Sequence, residues 1–277
     1  MRVFFIGAGP GAPDLITLRG ARILSESPVV LYAGSLVSVE ILQHCHPDAR
    51  ILDSASLNLD EQIAEYRRAR DLNQNVARLH SGDPAIYGAI AEQMRALDQL
   101  EIPYEVVPGV SSFTASAAVL NASLTRPEIS QSILITRTEG RASAVPEGES
   151  IASLAAHRAT MAVFLSGATL AKTVGELLTT YPAETPVALV CKATWPEEKH
   201  HLSSLGALLS EIQPSEWTLS TMLLVGFALG KEPGLNSRLY SAEYSHRYRK
   251  AARPAVPVAA QAQETSPPAR VCADSAG

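Results

Sequence analysis

The stretch Val76–Gly88, Val-Ala-Arg-Leu-His-Ser-Gly-Asp-Pro-Ala-Ile-Tyr-Gly, limits the possible folds more than any other part of the chain. Val76, Ala77 and Leu79 predict a short buried strand, and the small pair Ser81-Gly82 ends it with a turn. Asp83 stands where a helix N-cap is expected. Pro84 falls at the first helical position, where a missing N–H costs nothing. Ile86, Ile90, Met94, Leu97 and Leu100 then fall on one helical face. A strand that ends in a small-residue elbow and opens a helix is half of a βαβ unit. Such units build parallel sheets, and open α/β sheets bind ligands at the carboxyl edge of their strands. Taken alone, the elbow also suits an ordinary capped connection.

The same grammar recurs. Arg2–Ile6 predicts a first strand, followed by Gly7-Ala8-Gly9-Pro10-Gly11-Ala12-Pro13-Asp14. Gly7, Gly9 and Ala12 satisfy the dinucleotide fingerprint literally, but Pro10 and Pro13 stop the glycines from opening directly into a helix. The second strand, Val29–Tyr32, ends in Ala33-Gly34-Ser35 rather than in the acid that would hold a ribose, which disfavours a nicotinamide oxidoreductase. Tyr104–Val107 is another strand, and Pro108-Gly109-Val110-Ser111-Ser112-Phe113 another elbow before a helix. The loops at 7–13, 81–84 and 108–112 are therefore expected to form one groove. It would meet a ligand with backbone groups and a few hydroxyls, which fits a small polar cofactor. A helix is expected to start at Asp14, and another to run over Leu59–Leu72 with Asn58 or Asp60 as its cap. Near Leu124–Pro127 the chain enters a second α/β unit. Its strands are predicted at Ser132–Thr136, Thr160–Leu165, Val187–Cys191 and Leu219–Phe227, with helices at Ser150–His157, Thr169–Thr180 and Leu202–Ile212.

Composition narrows the function. The net charge of −5 argues against a nucleic-acid partner held by bulk electrostatics, while leaving room for local basic clusters that grip an anionic substrate. Cys45, Cys191 and Cys272 are too far apart for a metal or disulfide pattern, as expected of a reduced cytoplasmic protein. His44 and His46 flank Cys45, but neighbours this close do not converge on one metal, so no metal is expected. No apolar run reaches membrane-spanning length and no signal peptide is expected, so no membrane partner is implied. From Arg253 onward the Ala, Pro, Ser and Gln content predicts a disordered tail.

Taken together and in order, Gly-x-Gly-Pro-Gly-x-x-Asp from Gly7, His-Ser-Gly-Asp-Pro from His80 and Val-Pro-Gly-Val-Ser-Ser-Phe from Val107 resemble the tetrapyrrole methylases of corrin and siroheme synthesis. Leu31–Val37, Leu124–Glu128, Thr136–Arg141, Leu239-Tyr240 and His246–Arg249 resemble the branch that acts on precorrin-4. The resemblance covers roughly residues 1 to 250. It implies two α/β domains, 1–120 and 121–250, ahead of the tail at 251–277, with the cofactor cleft between them and a homodimeric assembly. It implies methyl transfer from S-adenosyl-L-methionine to carbon 11 of precorrin-4, giving precorrin-5 in cobalamin biosynthesis. Carried over by position, cofactor contacts fall on Pro10, Ser81, Gly82, Asp83, Ile86, Ser111, Ser112, Leu165 and Ala193. Methylases of uroporphyrinogen III place an Asp directly after the Leu-Tyr of the second strand. Here Ala33 stands there, which favours the later corrin enzyme. The alternatives are another methylase of the family, acting on cobalt-precorrin-4 or uroporphyrinogen III, and a protein that binds a tetrapyrrole without turning it over. Because the substrate carries many carboxylates, Arg126, Arg137 and Arg141 are the expected substrate contacts. No general base is identified, and His80 at its strand end is expected to be structural.

Overall fold

A computed structural model of the chain describes residues 1–139, 144–165, 169–217, 220–230 and 241–252. The first five strands are β1 (Val3–Gly7), β2 (Val29–Tyr32), β3 (Arg50–Asp53), β4 (Val76–His80) and β5 (Tyr104–Val107). They form a wholly parallel sheet in the order β3-β2-β4-β1-β5. Helices α1 (Leu18–Glu26), α2 (Leu59–Asp71) and α3 (Ile90–Gln99) cross over between these strands. One face of the sheet carries Ile6, Ile23, Leu24, Val30 and Leu79, and the other carries Val3, Phe5, Leu31, Tyr66 and Leu97. Both faces are covered, which is why the central strand β4 is buried at every residue.

Helix α4 (Ser112–Val119) leaves the first sheet and packs against a second. Strands β6 (Ile133–Arg137), β7 (Thr160–Leu165), β8 (Pro186–Cys191), β9 (Lys199–Ser204) and β10 (Thr221–Val225) make that sheet in the order β6-β7-β10-β8-β9. Only the β6–β7 pair is parallel; β10 runs antiparallel to β7 and β8, and β9 antiparallel to β8. Ala117 on α4 packs with Ala162, Ala188, Met222 and Leu224 on one face. On the other, α5 (Ile151–Ala155), α6 (Leu170–Leu178) and α7 (Leu208–Glu211) cover Met161, Val163, Leu189 and Leu223. Both sheets belong to one compact unit, Met1–Glu232. Of the second unit, Pro233–Gly277, residues 241–252 form a turn closed by an antiparallel bridge between His246 and Arg249, and the Arg249 guanidinium donates to the Ser241 carbonyl at 2.7 Å.

The structure departs from sequence expectation at four places. Asp83 does not cap α3: residues 83–88 form a separate tight turn, and α3 starts only at Ile90, after Tyr87 and Ala89 at positive φ. The first helix starts at Leu18 rather than Asp14, because the Thr17 hydroxyl accepts from the Gly20 N–H and Pro13–Leu15 is a 3-10 turn. Residues 202–204, read as helical, belong to the polar edge strand β9. The four-residue edge strand β3 gave too short an apolar signal to be read at all. By contrast α2 begins where Asn58 predicts, with Glu61 completing a capping box. The predicted tail from Arg253 and the pair Leu239-Tyr240 lie outside the described residues.

Candidate functional site

The three small-residue loops at the carboxyl ends of β1, β4 and β5 are knitted together backbone to backbone. A Cβ on Gly109 would stand 2.1 Å from the Gly82 carbonyl oxygen, and one on Gly7 would stand 2.5 Å from the Gly109 Cα, so both positions require glycine. Gly9 and Gly82 exchange two hydrogen bonds, of 3.3 and 2.8 Å. Asp83 is the clip: one carboxylate oxygen accepts from the Ala85 N–H at 2.8 Å and the other from the Gly109 N–H at 2.9 Å. A connection from the second sheet completes the frame. The Trp195 indole N–H donates to the Pro10 carbonyl at 2.7 Å, and the Ala12 N–H donates to the Thr194 hydroxyl at 3.0 Å.

This frame encloses a cleft of about 310 Å³. Of the residues expected to hold a cofactor, Pro10, Ser81, Gly82, Asp83, Ile86, Ser111, Ser112 and Ala193 all line it. Leu165 ends β7 directly opposite Thr221, another lining residue, and its side chain lies outside the described set. Two hydroxyls in the wall, those of Ser116 and Thr221, are buried without a hydrogen-bond partner, although such groups are normally paired. Three lining residues, Tyr87, Lys192 and Ser220, have left-handed backbones at φ 56, 51 and 61°. Strain of this kind concentrates at functional sites. Sequence reading missed Ser116, Thr221, Tyr87 and Lys192. A lone hydroxyl within an apolar strand or an Ala-rich helix gives no local signal of function.

His80 is packed 5.8 Å from the Phe5 ring, and burial, assisted by the charge of Arg78, pushes its pKa down to about 3. The imidazole is neutral at physiological pH, in line with a structural role. Arg78 is itself buried, donating to the Ser54 hydroxyl at 2.8 Å. Burial raises the Tyr87 phenol above its usual value, so it carries its proton. His44 meets the Pro13 carbonyl while the Asp48 N–H donates to His46, so the two imidazoles serve separate partners.

Neither Arg126 nor Arg137 is among the residues that line this cleft. Arg126 donates to the Gly230 carbonyl at 2.7 Å. Arg137 donates to the carbonyls of Thr138 and Ala144 and lines a smaller neighbouring hollow, close enough to Tyr87 for its charge to act on the phenol. Arg141 lies outside the described residues. A shallower hollow of about 450 Å³ sits near the amino end of β1, where Arg2 pairs with Glu105 and Arg22 with Glu26. It lies away from the carboxyl edge and its charges already have partners. Among the described residues, no helix is long and apolar enough to cross a membrane.

Comparison with known proteins agrees with this geometry. Residues 2–209 match the family model described as Tetrapyrrole (Corrin/Porphyrin) Methylases. The chain is 46% identical over 249 residues to a precorrin-4 C(11)-methyltransferase of Pseudomonas aeruginosa, covering 90% of this chain and 99% of that one. It is similar to the X-ray structure of a cobalt precorrin-4 methyltransferase, with a TM-score of 0.79 and 40% identity over 83% of this chain and 96% of that chain. A uroporphyrin-III C-methyl transferase from Thermus thermophilus, complexed with S-adenyl homocysteine, aligns with a TM-score of 0.67 and 26% identity over 82% of this chain and 97% of its own. A parallel sheet whose glycine loops meet a second, mixed sheet around one cleft, together with a family model that spans most of the chain, places this protein among the tetrapyrrole methylases.

Proposed function

We propose that this protein transfers the methyl group of S-adenosyl-L-methionine to carbon 11 of precorrin-4, giving precorrin-5. The observation that carries the reading is the cleft itself. Its wall includes eight of the nine residues that family resemblance assigns to the cofactor, and it holds the unpaired hydroxyls of Ser116 and Thr221, which a polar ligand would satisfy. The 46% identity to a relative named for this reaction supports the choice of substrate.

When bound, the cofactor supplies a sulfonium methyl group that is already activated. This chain's residues then have to orient and dehydrate rather than create a nucleophile. Backbone groups of the loops at Pro10, Gly82 and Ser111 form one wall, Ile86 and Met222 supply apolar surface, and Asp83 fixes the spacing of the loops. Holding methyl and ring carbon in line is worth several kcal/mol of barrier. Arg126, Arg137 and Arg141 are the proposed grips for substrate carboxylates. The two α/β domains are taken as 1–120 and 121–250, the setting as the cytoplasm and the assembly as a homodimer.

A second reading, cobalt-precorrin-4 as the natural substrate, is favoured by the likeness to a solved structure of that name. Both are decided by supplying labelled S-adenosyl-L-methionine with metal-free or cobalt-loaded precorrin-4 and locating the methyl group by mass and NMR analysis. Methylation at carbon 11 of the metal-free compound at the higher rate is the expected result. Incorporation at another carbon, or none with either compound, overturns the proposal.

A further inference from the structure

Tyr87 stands apart in the cleft. The turn that carries it is wound so tightly that a Cβ on Gly88 would lie 2.2 Å from the Pro84 carbonyl oxygen. Tyr87 itself sits at φ 56°, a conformation that is a genuine outlier for a bulky side chain. Glycine or asparagine would take this backbone far more easily, so the turn alone does not account for an aromatic residue. Nor does burial: the side chain reaches across to the second sheet, yet the residue stays 51% exposed. Its ring meets Phe164 of β7 edge to face, with centroids 5.0 Å apart and planes at 68°. The charges of Arg137 and Glu149 both act on its hydroxyl. Both Tyr87 and Phe164 line the cleft.

We infer that the Tyr87 ring, braced by Phe164, is the platform against which one face of the tetrapyrrole macrocycle settles, fixing its distance from the methyl donor. This rests on the substrate class proposed above. An exposed aromatic face complements the unsaturated pyrrole-derived rings of such a substrate by offset stacking. The neighbouring cationic charge complements the carboxylates that fringe such a substrate. The strain is the local cost of holding a large ring out in the cleft instead of folding it into the core.

The decisive variant is Tyr87→Asn, because asparagine tolerates the left-handed backbone while removing the ring. Tyr87→Phe keeps the ring and serves as the control. Wild type and both variants are assayed with precorrin-4 and S-adenosyl-L-methionine, and their melting temperatures are recorded. The expected result for Tyr87→Asn is a tenfold or greater rise in KM for precorrin-4, a KM for S-adenosyl-L-methionine within twofold of wild type, and an unchanged or higher Tm. Tyr87→Phe should stay within about threefold of wild type for both compounds. A lowered Tm with an unchanged KM for precorrin-4 would make Tyr87 a packing residue and overturn the inference, as would equal losses for the two compounds. If wild type itself does not turn over precorrin-4, the proposed function fails first; if it does and Tyr87→Asn matches it, only the platform fails.

Discussion

A buried hydroxyl with no partner is a cost to the folded protein that a ligand can recover, and Thr221 is such a residue: 4% exposed, lining the cleft and unpaired. Thr221→Val keeps the β-branched shape and removes the desolvated oxygen. The expected outcome is a Tm equal to or above wild type together with about a tenfold loss of S-adenosyl-L-methionine affinity by calorimetry, since an unmade hydrogen bond costs about 1–3 kcal/mol. Loss of stability without loss of affinity would show that the hydroxyl serves the fold. His80 makes a prediction of opposite character. Its folded pKa of about 3 lies below the ordinary imidazole value near 6.5, so between those limits the unfolded chain binds the extra proton. Stability is therefore intact above about pH 6.5 and falls as pH drops toward 3, by up to about 1.4 kcal/mol per pH unit. In His80→Gln the decline of Tm between pH 6.5 and 4 should be shallower than in wild type, and an unchanged slope would acquit this residue. Sequence pointed to a structural His80 from its place at a strand end, but could not show the depth of burial that forces it neutral. Thr221 and Ser116 were illegible for a related reason: whether a hydroxyl is satisfied depends on neighbours distant in the chain.

At the scale of elements, the glycine loops are where local sequence and tertiary geometry agree most closely. Three strand ends are legible here: Gly7 and Gly109 because only residues without a Cβ allow such close backbone approach, and Gly82 because its backbone is left-handed at φ 64°. Gly109→Ala should force the β5 elbow away from Gly82, lowering Tm by several degrees and weakening S-adenosyl-L-methionine binding. Gly175, exposed in α6 with nothing within 4 Å of its would-be Cβ, provides the counter-example. Gly175→Ala should stabilise by roughly 0.5–1 kcal/mol through helix propensity alone and leave binding untouched. Thermal melts and calorimetry on the pair check both directions. The elements that escaped sequence reading share a cause. Edge strands β3 and β9 bury little, so their sequences carry a weak periodic signal. Asp83 looked like the cap of α3 because Asp-Pro is a strong local helix start. Its carboxylate instead spans to Gly109, a contact 26 positions away that no local rule contains.

At the scale of the whole molecule, the cleft exists because α4 and the 192–198 connection carry the second sheet up to the glycine loops of the first. The connection's contribution centres on Trp195, whose indole N–H holds the Pro10 carbonyl and whose Cδ1 lies 2.2 Å from where a Gly11 Cβ would be. Lys192 adds a cation 5.7 Å from the ring centre. Trp195 thus fixes the height of the 7–13 loop above the cleft, a constraint that neither sheet supplies by itself. Trp195→Phe removes only the donor and part of the ring. A neutral hydrogen bond is worth about 0.5–1.5 kcal/mol, so affinity for S-adenosyl-L-methionine should fall roughly twofold to tenfold. The chain offers its own reporter, for its two tryptophans sit in different places: Trp195 in the cleft wall, and Trp217 buried 6% exposed in the core of the second sheet. Titrating wild type with S-adenosyl-L-methionine should change the intrinsic fluorescence through Trp195. The change should vanish in Trp195→Phe and persist in Trp217→Phe, while calorimetry still registers binding in both. A signal that survives in Trp195→Phe and disappears in Trp217→Phe would place the ligand away from this cleft and remove the basis for assigning the methyl donor to it.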